Sequence, residues 1–555
     1  MPKSAPQAAQ PLKIAIIDSG INGQWFDLHS FEREIEIDSE LQTVEETEAG
    51  PQSIHGTLCA AIIEKYSKYK QIYSVKILNE RGKATSKQLA AAITWCIEND
   101  IKIINMSVGS TDRQDYDLIK QVVNQAYNKG IIIIAAASNR GDMTYPAAFS
   151  NTIGVKCDRN HILNFSQYIY DCSSLDGTEV IANGRHRLTN RLGDTIATDA
   201  SNSYAAPLVT ALVSNMLYHQ PTLTLQELKY KLMDSSTLVL GGPKTLIKNC
   251  KDLDWIQGAI VYVLENSEQT YNVQHYCFNV YDIVKFNLDK VCKSSFKNSI
   301  KDQILKDLKA FEEADTLIFV STVYGEKAIC WERVLDTQWL KYCIKNIVII
   351  DDNRGPSQQE ESRGDINIWH PSYHKKYDMV QPSISNDISV PIVAVYDFIG
   401  FGLNDLVYEL AEKFRSNDYA VTAIMNTGLG VVSGHEYIST QDLLDPNGGL
   451  QLHPIQSLEA LYKPDVIIVG IEDRHTTNNM LCLIKGSSAD ANIFLVDRFR
   501  TEDSENFRLD SCNVILTKEQ NGFPIECKGW RSLHFNGEKS LAAAYSYLFK
   551  MLQEE

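Results

Sequence analysis

The stretch SNSYAAPLVTALVSNML, residues 201–217, passes abruptly from three polar residues into a long apolar run. Ser, Asn and Ser favour the start of a helix, because their side-chain oxygens accept the free backbone N–H groups there. The run after Pro207 is apolar enough to predict a buried helix. Ser203 then has two interpretations: it caps the helix, or it is a nucleophile held at the mouth of a buried helix. The stretch alone leaves both open.

The surrounding sequence, from residue 12 to about 250, alternates between strand-like and helix-like segments. Continuous apolar strands separated by helices predict a parallel sheet covered on both faces, an α/β fold. Ligands of such sheets bind beyond the carboxyl ends of the strands. The predicted strands are KIAIID, IYSVKIL, IKIINMSVG and IIIIAAASN, and the predicted helices are HGTLCAAIIEKYSK, TSKQLAAAITWCIEN and DLIKQVVNQAYNKG.

Polar residues stand at four of these segment ends in short, unusual contexts. Asp18 ends the first strand, His55 opens the next helix, Asn139 follows the polyisoleucine strand, and Ser203 opens the helix described above. An acid, a base, an amide donor and a hydroxyl at one open sheet edge are the groups that serine acyl transfer requires. Taken singly, each residue also fits a structural role, as a turn residue or a helix cap.

Five ordered motifs resemble the subtilisin-like (subtilase) serine peptidase family. They are IDSGI at 17–21, HGT at 55–57, NMSVG at 105–109, AAASN at 135–139 and SYAAP at 203–207. The order Asp, His, Asn, Ser also matches that family. The resemblance covers residues 12 to about 240, for which it implies a subtilisin-like parallel-sheet domain.

The resemblance implies a role for each of these residues. Ser203 attacks the scissile carbonyl, His55 takes and returns the proton, and Asp18 orients His55. The side-chain amide of Asn139 and the backbone N–H of Ser203 stabilise the oxyanion. The substrate adds as an extended strand to a nearby edge. The residues expected to bind it are Ser107, Val108, Gly109, Ala136 and Ala137.

Two departures from the family pattern and one acidic segment bear on the site. The family has Gly-Thr-Ser where this chain has Ser201-Asn202-Ser203, so backbone freedom is lost beside the nucleophile. Asn202 nevertheless offers a side chain able to donate to an oxyanion. The segment 140–151 is short, which predicts an unusual wall for the pocket of the residue before the cut. Segment 32–48 carries eight acidic residues and one Arg, which indicates a solvated face or a surface that attracts a basic substrate segment.

The composition narrows the class of partner and the compartment. With 555 residues, 44% hydrophobic, the chain is globular and contains several domains. A net charge of -17 argues against nucleic acid as the main partner. The 12 cysteines form no C-x-x-C pair, which predicts reduced thiols, no metal site and no cofactor. No signal-peptide core, propeptide-length leader or membrane span is visible, so we expect a cytoplasmic protein that acts on peptides, away from membranes.

The rest of the chain predicts two further α/β blocks, Rossmann-like or P-loop-like. We expect a disordered N-terminus at 1–11, a peptidase domain at 12–250, an accessory domain at 255–380 and a last domain at 390–555, with a linker at 379–391. The last block opens with PIVAVYDFIGFGLNDL, the strand, loop and helix layout of a phosphate-binding P-loop. In that register the first Gly, the Lys and the Ser/Thr are replaced by Asp397, Leu403 and Asn404, while Gly402 is retained. This indicates a degenerate P-loop domain without nucleotide chemistry, or an unrelated α/β domain.

Three functions remain open at this point. The first is a cytoplasmic endopeptidase of narrow specificity, for example one that removes the leader of a ribosomally made modified peptide. The second is a general intracellular degradative protease. The third is a catalytically impaired subtilase that serves as a peptide-binding scaffold. In each, the C-terminal blocks are free to bind substrate, another protein or a second copy of the chain.

Overall fold

The computed structural model divides the chain into two compact units, Met1–Trp255 and Ile256–Glu555. In the first unit it describes residues 11–241, apart from 46–52, 69, 165 and 175, and residues 253–255. In the second it describes 256–267, 269–290, 296–323, 331, 335, 337–340, 343–344, 346–351, 367–373, 377, 388–398, 402–446, 449–472, 489–496, 512–517, 526–527, 530–534, 545–546 and 548–550. The predicted disordered N-terminus lies outside the described residues, as does most of the predicted linker.

The first unit is built on one ten-stranded sheet with a small hairpin beside it. The order across the sheet is β12-β8-β9-β7-β6-β5-β1-β4-β2-β3, and the hairpin joins β10 to β11. The strands are β1 Leu12–Asp18, β2 Phe31–Ile37, β3 Thr43–Glu45, β4 Lys70–Lys76, β5 Ile103–Met106, β6 Ile132–Ala136, β7 Ile153–Cys157, β8 Tyr168–Asp171, β9 Val180–Ala182, β10 Arg187–Thr189, β11 Thr195–Ala197 and β12 Leu238–Leu240.

Helices cover both faces of this sheet, as the alternating sequence predicts. They are α1 His55–Tyr66, α2 Ser86–Glu98, α3 Tyr116–Asn128, α4 Asn202–His219 and α5 Leu225–Asp234. Alternate residues of β1 point to opposite faces. Ile14 and Ile16 pack into the core that contains α1 and α4. Ala15 and Ile17 pack into the core that contains α2 and α3. The parallel strands β7, β6, β5, β1 and β4 therefore place their carboxyl ends along one edge.

The acidic segment differs from its prediction. Part of it forms β2, which pairs in parallel with β4 and antiparallel with β3. Ile35 and Ile37 are buried in the sheet, while Glu32 and Arg33 are exposed. The alternation of acid and isoleucine is a strand pattern with one buried face. The interpretation of residues 32–48 as a solvated face is therefore wrong at Ile35 and Ile37, whereas residues 46–48 lie outside the described residues.

The second unit contains two predominantly parallel sheets. One has the order β14-β13-β15-β16-β17 and the other the order β20-β19-β21-β18-β22-β23-β25-β24. The strands are β13 Gly258–Glu265, β14 Asn279–Asn287, β15 Thr316–Ser321, β16 Asn346–Ile350, β17 Asn367–Trp369, β18 Ile392–Asp397, β19 Val421–Met425, β20 Glu436–Tyr437, β21 Val466–Glu472, β22 Ala491–Val496, β23 Cys512–Thr517, β24 Glu526–Cys527 and β25 Trp530–His534.

The described helices of this unit are α6 Phe296–Ala310, α7 Thr337–Leu340, α8 Leu403–Arg415, α9 Thr440–Leu443 and α10 Leu452–Tyr462. The strand and helix predicted around Gly402 are present as β18 and α8. Gly402 has a φ of 114°, a conformation that glycine adopts without steric cost. Across the described part of the chain, no helix is both long and apolar enough to cross a membrane.

Candidate active site

The site lies at the carboxyl edge of the first sheet, where four elements bring polar residues together. Asp18 is the last residue of β1, and Asn139 follows β6 by three residues. His55 is the first residue of α1, and Ser203 is the second residue of α4. The helices α1 and α4 pack against each other on the same face of the sheet. These four residues are far apart in the sequence but thus lie in one cluster.

The carboxylate of Asp18 and the imidazole of His55 form a close pair. His55 Nδ1 donates to the two oxygens of Asp18, at 2.8 and 3.0 Å. Asp18 is 1% exposed and also accepts from the Ser19 N–H at 2.7 Å, whereas the side chain of His55 is 29% exposed. This hydrogen bond leaves Nε2 of His55 as the ring nitrogen that can exchange a proton with a substrate or a nucleophile.

The pKa of His55 is raised above its ordinary value of 6.5. Burial alone would lower this pKa, because a low-dielectric environment disfavours the imidazolium. The hydrogen bond and the negative charge of Asp18 act in the opposite direction and outweigh burial. The pair therefore stabilises a proton on His55, as a general base requires.

Ser203 lies in the first turn of α4, and Ser201 caps that helix. Ser201 Oγ accepts from the Ser203 N–H at 3.2 Å. The capping interpretation is thus correct for Ser201, and Ser203 remains available for the other role. The N–H of Ser203 was expected to stabilise an oxyanion, but in this structure it is bonded to Ser201. The difference follows from the replacement of the family's glycine by a serine at position 201.

The structure has no direct hydrogen bond between His55 and Ser203, although Cys59 on α1 contacts the Ser203 carbonyl oxygen at 3.6 Å. Tyr204, the next residue, places its ring against the imidazole with the ring centroids 5.1 Å apart. Catalytic hydrogen bonds are often long or misaligned without a substrate and tighten when one binds. Asp18, His55 and Ser203 therefore share one cluster, in which only the first two are bonded.

Asn139 is held in a defined orientation. Its Oδ1 accepts from the backbone N–H of Asn202 at 3.0 Å, and its carbonyl oxygen accepts from Arg159. Because Oδ1 is committed to the start of α4, the amide NH₂ group lies on the other side of the planar side chain. Asn139 is itself exposed, so this NH₂ group can reach a ligand at the sheet edge.

The expectation that Asn202 could donate to an oxyanion is wrong. Asn202 is buried, and its Nδ2 donates to the carbonyl oxygens of Ala137 and Ser138, both at 3.0 Å. Its Oδ1 accepts from the Cys157 N–H at 2.8 Å. All three bonds join α4 to the ends of β6 and β7, so Asn202 stabilises the site and has no amide proton left for a substrate.

The predicted substrate-binding residues form two short segments beside Ser203. Ser107 Oγ donates to the Ser203 carbonyl oxygen at 3.1 Å. Ala136 lies in β6, and the Ala137 N–H donates to Val155 at 2.9 Å. Val108 packs on the core around α2 and α3, while Gly109 is exposed. The bond from Ser107 places the first segment beside Ser203, and the bond from Asn202 Nδ2 to the Ala137 carbonyl joins the second segment to the start of α4.

Three residues that the sequence interpretation missed adjoin this cluster. Cys59 Sγ lies 3.5 Å from Ser107 Oγ and donates to the Ser203 carbonyl at 3.6 Å. Its position four residues after His55, on the same face of α1, was the available signal. Tyr204 follows the nucleophile directly. His186 Nε2 lies 3.0 Å from the Tyr204 carbonyl oxygen, and no motif indicates this contact.

Asp18, His55 and Cys59 are also the one group of three described side chains that could hold a metal ion, with ligand atoms within 4.8 Å of one another. Burial, followed by the charge of Asp18, raises the pKa of Cys59 well above its usual value. Cys59 is therefore a neutral thiol at neutral pH, whereas metals prefer the thiolate. The bond between Asp18 and His55 already explains why two of the three side chains are close.

Comparison with known proteins gives consistent results for the first unit. A model of the Subtilase family matches residues 10–259. Minor extracellular protease Epr of Bacillus subtilis (strain 168) is 30% identical over 236 residues, 40% of this chain and 34% of Epr. Subtilisin amylosacchariticus of Bacillus subtilis subsp. amylosacchariticus is 27% identical over 238 residues, 41% of this chain and 60% of that protein. The chain thus spans about a third and three fifths of these relatives.

Among solved structures, sphericase matches with 24% sequence identity and a TM-score of 0.34. The match covers 41% of this chain and 83% of sphericase.

Proposed function

We propose that this chain, whose residues 10–259 form a subtilase domain with the subtilisin-like α/β fold, is a serine endopeptidase. The single observation that carries the proposal is the buried bond between Asp18 and His55, at 2.8 Å, on the same sheet edge as Ser203 and Asn139. A buried carboxylate that binds Nδ1 of a partly exposed imidazole fixes the tautomer needed by a general base. An ion pair that only stabilised the fold would not require a hydroxyl and an amide donor at the same sheet edge.

In the proposed reaction, Ser203 Oγ attacks the carbonyl carbon of the scissile peptide bond. Its proton passes to Nε2 of His55, while Asp18 orients the ring and stabilises the imidazolium. The carbonyl oxygen of the substrate gains negative charge and accepts a hydrogen bond from the side-chain amide of Asn139. His55 then protonates the leaving amine. Water, deprotonated by His55, releases the acyl group and regenerates Ser203.

Narrow specificity and a cytoplasmic location are part of the proposal. The six cysteines with described side chains are all free thiols, which suits a reducing compartment. The second unit contributes none of the four proposed catalytic groups, so we assign it to recognition of a peptide or protein partner. Removal of a leader from a ribosomally made modified peptide is one reaction of this kind.

A peptide-binding scaffold without turnover is the second candidate. Two observations favour it: the N–H of Ser203 is bonded to Ser201 at 3.2 Å, and Ser203 has no hydrogen bond to His55. Both can change when a substrate binds, because a serine hydroxyl rotates freely. A general degradative protease is the third candidate, and it differs from the first only in its specificity.

Digestion of a peptide library by the full chain tests the proposal, with the products sequenced by mass spectrometry. We expect cleavage that stops in Ser203→Ala, a restricted set of cut sites, and a rate that falls as the pH drops through the raised pKa of His55. That direction follows because the base must be neutral to accept a proton. Hydrolysis that persists in Ser203→Ala contradicts the assignment, and cutting at many unrelated sites favours the degradative candidate.

A further inference from the structure

An aromatic ring on the helix of the nucleophile contacts the proposed base. Tyr204 directly follows Ser203 in α4, and its ring centroid lies 5.1 Å from that of His55. The two ring planes are tilted by 36°, closer to parallel than to perpendicular. Aromatic rings attract each other at centroid separations of about 4.5–7 Å. The imidazole of His55 therefore contacts a carboxylate from β1 and a tyrosine ring from α4.

A buried histidine anchors the backbone of Tyr204. His186 is 1% exposed, and burial lowers its pKa to about 4, so the ring is neutral at neutral pH. Its Nε2 donates to the Tyr204 carbonyl oxygen at 3.0 Å, and its Nδ1 accepts from the Tyr66 hydroxyl at 3.3 Å. Tyr66 is the last residue of α1. One neutral imidazole thus joins the helix that carries the base to the helix that carries the nucleophile.

The backbone of His186 is itself held by two hydrogen bonds to Thr198. The His186 N–H donates to Thr198 Oγ1 at 2.8 Å, and the Thr198 N–H donates to the His186 carbonyl oxygen at 2.9 Å. Thr198 belongs to the segment that leads into α4 and is buried. Tyr204 is therefore fixed through a side chain whose own position is fixed.

The contact between Tyr204 and His55 changes in strength when His55 takes a proton. A cation within about 6 Å of the centre of an aromatic ring is attracted by the negative face of that ring. The other titratable groups that face His55 are Asp18 from β1 and Cys59 from α1. Burial raises the pKa of the Cys59 thiol, and it raises the pKa of Tyr204 to about 12. Both groups are then neutral, so Tyr204 acts through its ring and not through a charge.

We propose that Tyr204 is a positioning residue that stabilises the protonated form of His55, and that His186 holds Tyr204 in place for this role. The inference rests on the proposed function, because His55 gains the proton of Ser203 only as the reaction proceeds. The stabilisation is absent from the resting enzyme and present in the transition state, so it acts on kcat more than on KM.

The experiment measures how fast the full chain reacts with a fluorophosphonate, as a function of pH, by intact mass. Ser203 Oγ forms a bond to phosphorus, fluoride leaves, and the serine proton passes to His55. Tyr204→Leu removes the ring. We expect the midpoint of the pH profile to fall by about 0.5 pH unit, because the pKa of His55 falls with the lost attraction. The limiting rate should fall about 2- to 10-fold for the same reason.

The sign of the change separates this role from simple packing. Tyr204 is half-buried and shields part of the imidazole from water. Burial lowers the pKa of His55, so a ring that only covered the imidazole would, when removed, leave a higher pKa. A fall in the midpoint therefore supports the proposal, and a rise contradicts it.

Two further substitutions in α4 serve as controls. Tyr204→Phe keeps the ring and loses the hydroxyl, so the limiting rate should remain within about twofold of the parent. Tyr218→Leu is the matched control, because Tyr218 also packs on a histidine ring, that of His219, with centroids 5.5 Å apart. It lies at the other end of α4, so both the midpoint and the rate should remain unchanged.

Variants of His186 test the anchor without altering Tyr204. His186→Gln keeps a donor for the Tyr204 carbonyl and an acceptor for the Tyr66 hydroxyl, whereas His186→Leu loses both. We expect His186→Leu to lower the midpoint in the same direction as Tyr204→Leu, and His186→Gln to restore at least half of that change. Thermal melting of each variant confirms that the protein is folded.

The outcomes distinguish this inference from the proposed function. If the parent protein is not labelled at any pH, the proposed function fails. If Ser203 is labelled but Tyr204→Leu leaves the midpoint unchanged or raises it, the inference about Tyr204 is wrong. If His186→Leu behaves like the parent, His186 does not hold Tyr204 for this role.

Discussion

Two helices of the molecule begin at the carboxyl edge of a parallel sheet, and they use that position differently. At the start of α4 Ser203 remains partly exposed, and so does His55 at the start of α1, where it is bonded to the buried carboxylate of Asp18. At the start of α8, Leu403 and Asn404 are buried, and Asn404 Nδ2 donates to Ser433 at 2.6 Å. The same topology thus holds reactive groups in one unit and packing contacts in the other. Topology alone does not assign chemistry.

The largest expected effect is on catalysis at the sheet edge of the first unit. Ser203→Ala and His55→Ala should each reduce kcat by at least about 10⁴-fold, and the double variant should be little worse, because the groups act as a unit. Hydrolysis of the best library peptide by each protein measures this. Losses that multiply in the double variant would mean that the two residues act independently.

Asn139→Ala should have the next largest effect. Loss of one donor to an oxyanion typically lowers kcat about 10²- to 10³-fold. Asn139→Asp is the sharper variant, because it keeps an oxygen for the Asn202 N–H while it removes the NH₂ donor. We expect a loss at least as large as in the alanine variant. More than a tenth of parental kcat in Asn139→Asp would show that the donor is dispensable.

Ser201→Gly should act in the opposite direction. The Ser201 hydroxyl occupies the N–H of Ser203, and a net hydrogen bond of this kind is worth about 0.5–1.5 kcal/mol. Its removal should raise kcat/KM about 2- to 10-fold, and Ser201→Ala should also raise it. Thermal melting monitors the lost cap. A fall in kcat/KM in both variants, with unchanged melting, would show that the hydroxyl assists the reaction.

The smallest expected effect is at the start of α8, at the sheet edge of the second unit. Full-length protein with Ser203→Ala should release no phosphate from ATP or GTP above the buffer blank. Leu403 is buried where a P-loop has lysine, so no cation from that position reaches a phosphate. Asn404→Ala should then change stability only, since it removes the bond to Ser433. Steady phosphate release that disappears in Asn404→Ala would show that this unit does hydrolyse nucleotides.

Much of the first unit was predictable because its signals are local. Strands β1, β5 and β6 are continuous apolar runs, and Asp18, His55, Asn139 and Ser203 stand in short motifs. Strand β2 was missed, because its buried isoleucines alternate with glutamates that dominate the charge count.

The remaining parts of the site depend on contacts between distant segments. Asn202 looked like a donor in the sequence, but its amide is consumed by Ala137 and Ser138, 65 and 64 residues away. Thr144 and Gly109 likewise belong to separate loops, yet Thr144 Cγ2 lies 2.8 Å from the point that a Cβ on Gly109 would occupy. No local pattern encodes such distances, since they arise only when the sheet assembles.

The central claim is that Ser203 is a nucleophile activated by His55, and reaction with a fluorophosphonate probe tests it most directly. Intact mass of the full chain, followed by peptide mapping, identifies the modified residue. We expect one adduct per chain on Ser203, none in Ser203→Ala, and labelling slowed at least about 100-fold in His55→Ala. No adduct on the parent protein, or equal labelling of Ser203→Ala, would contradict the account.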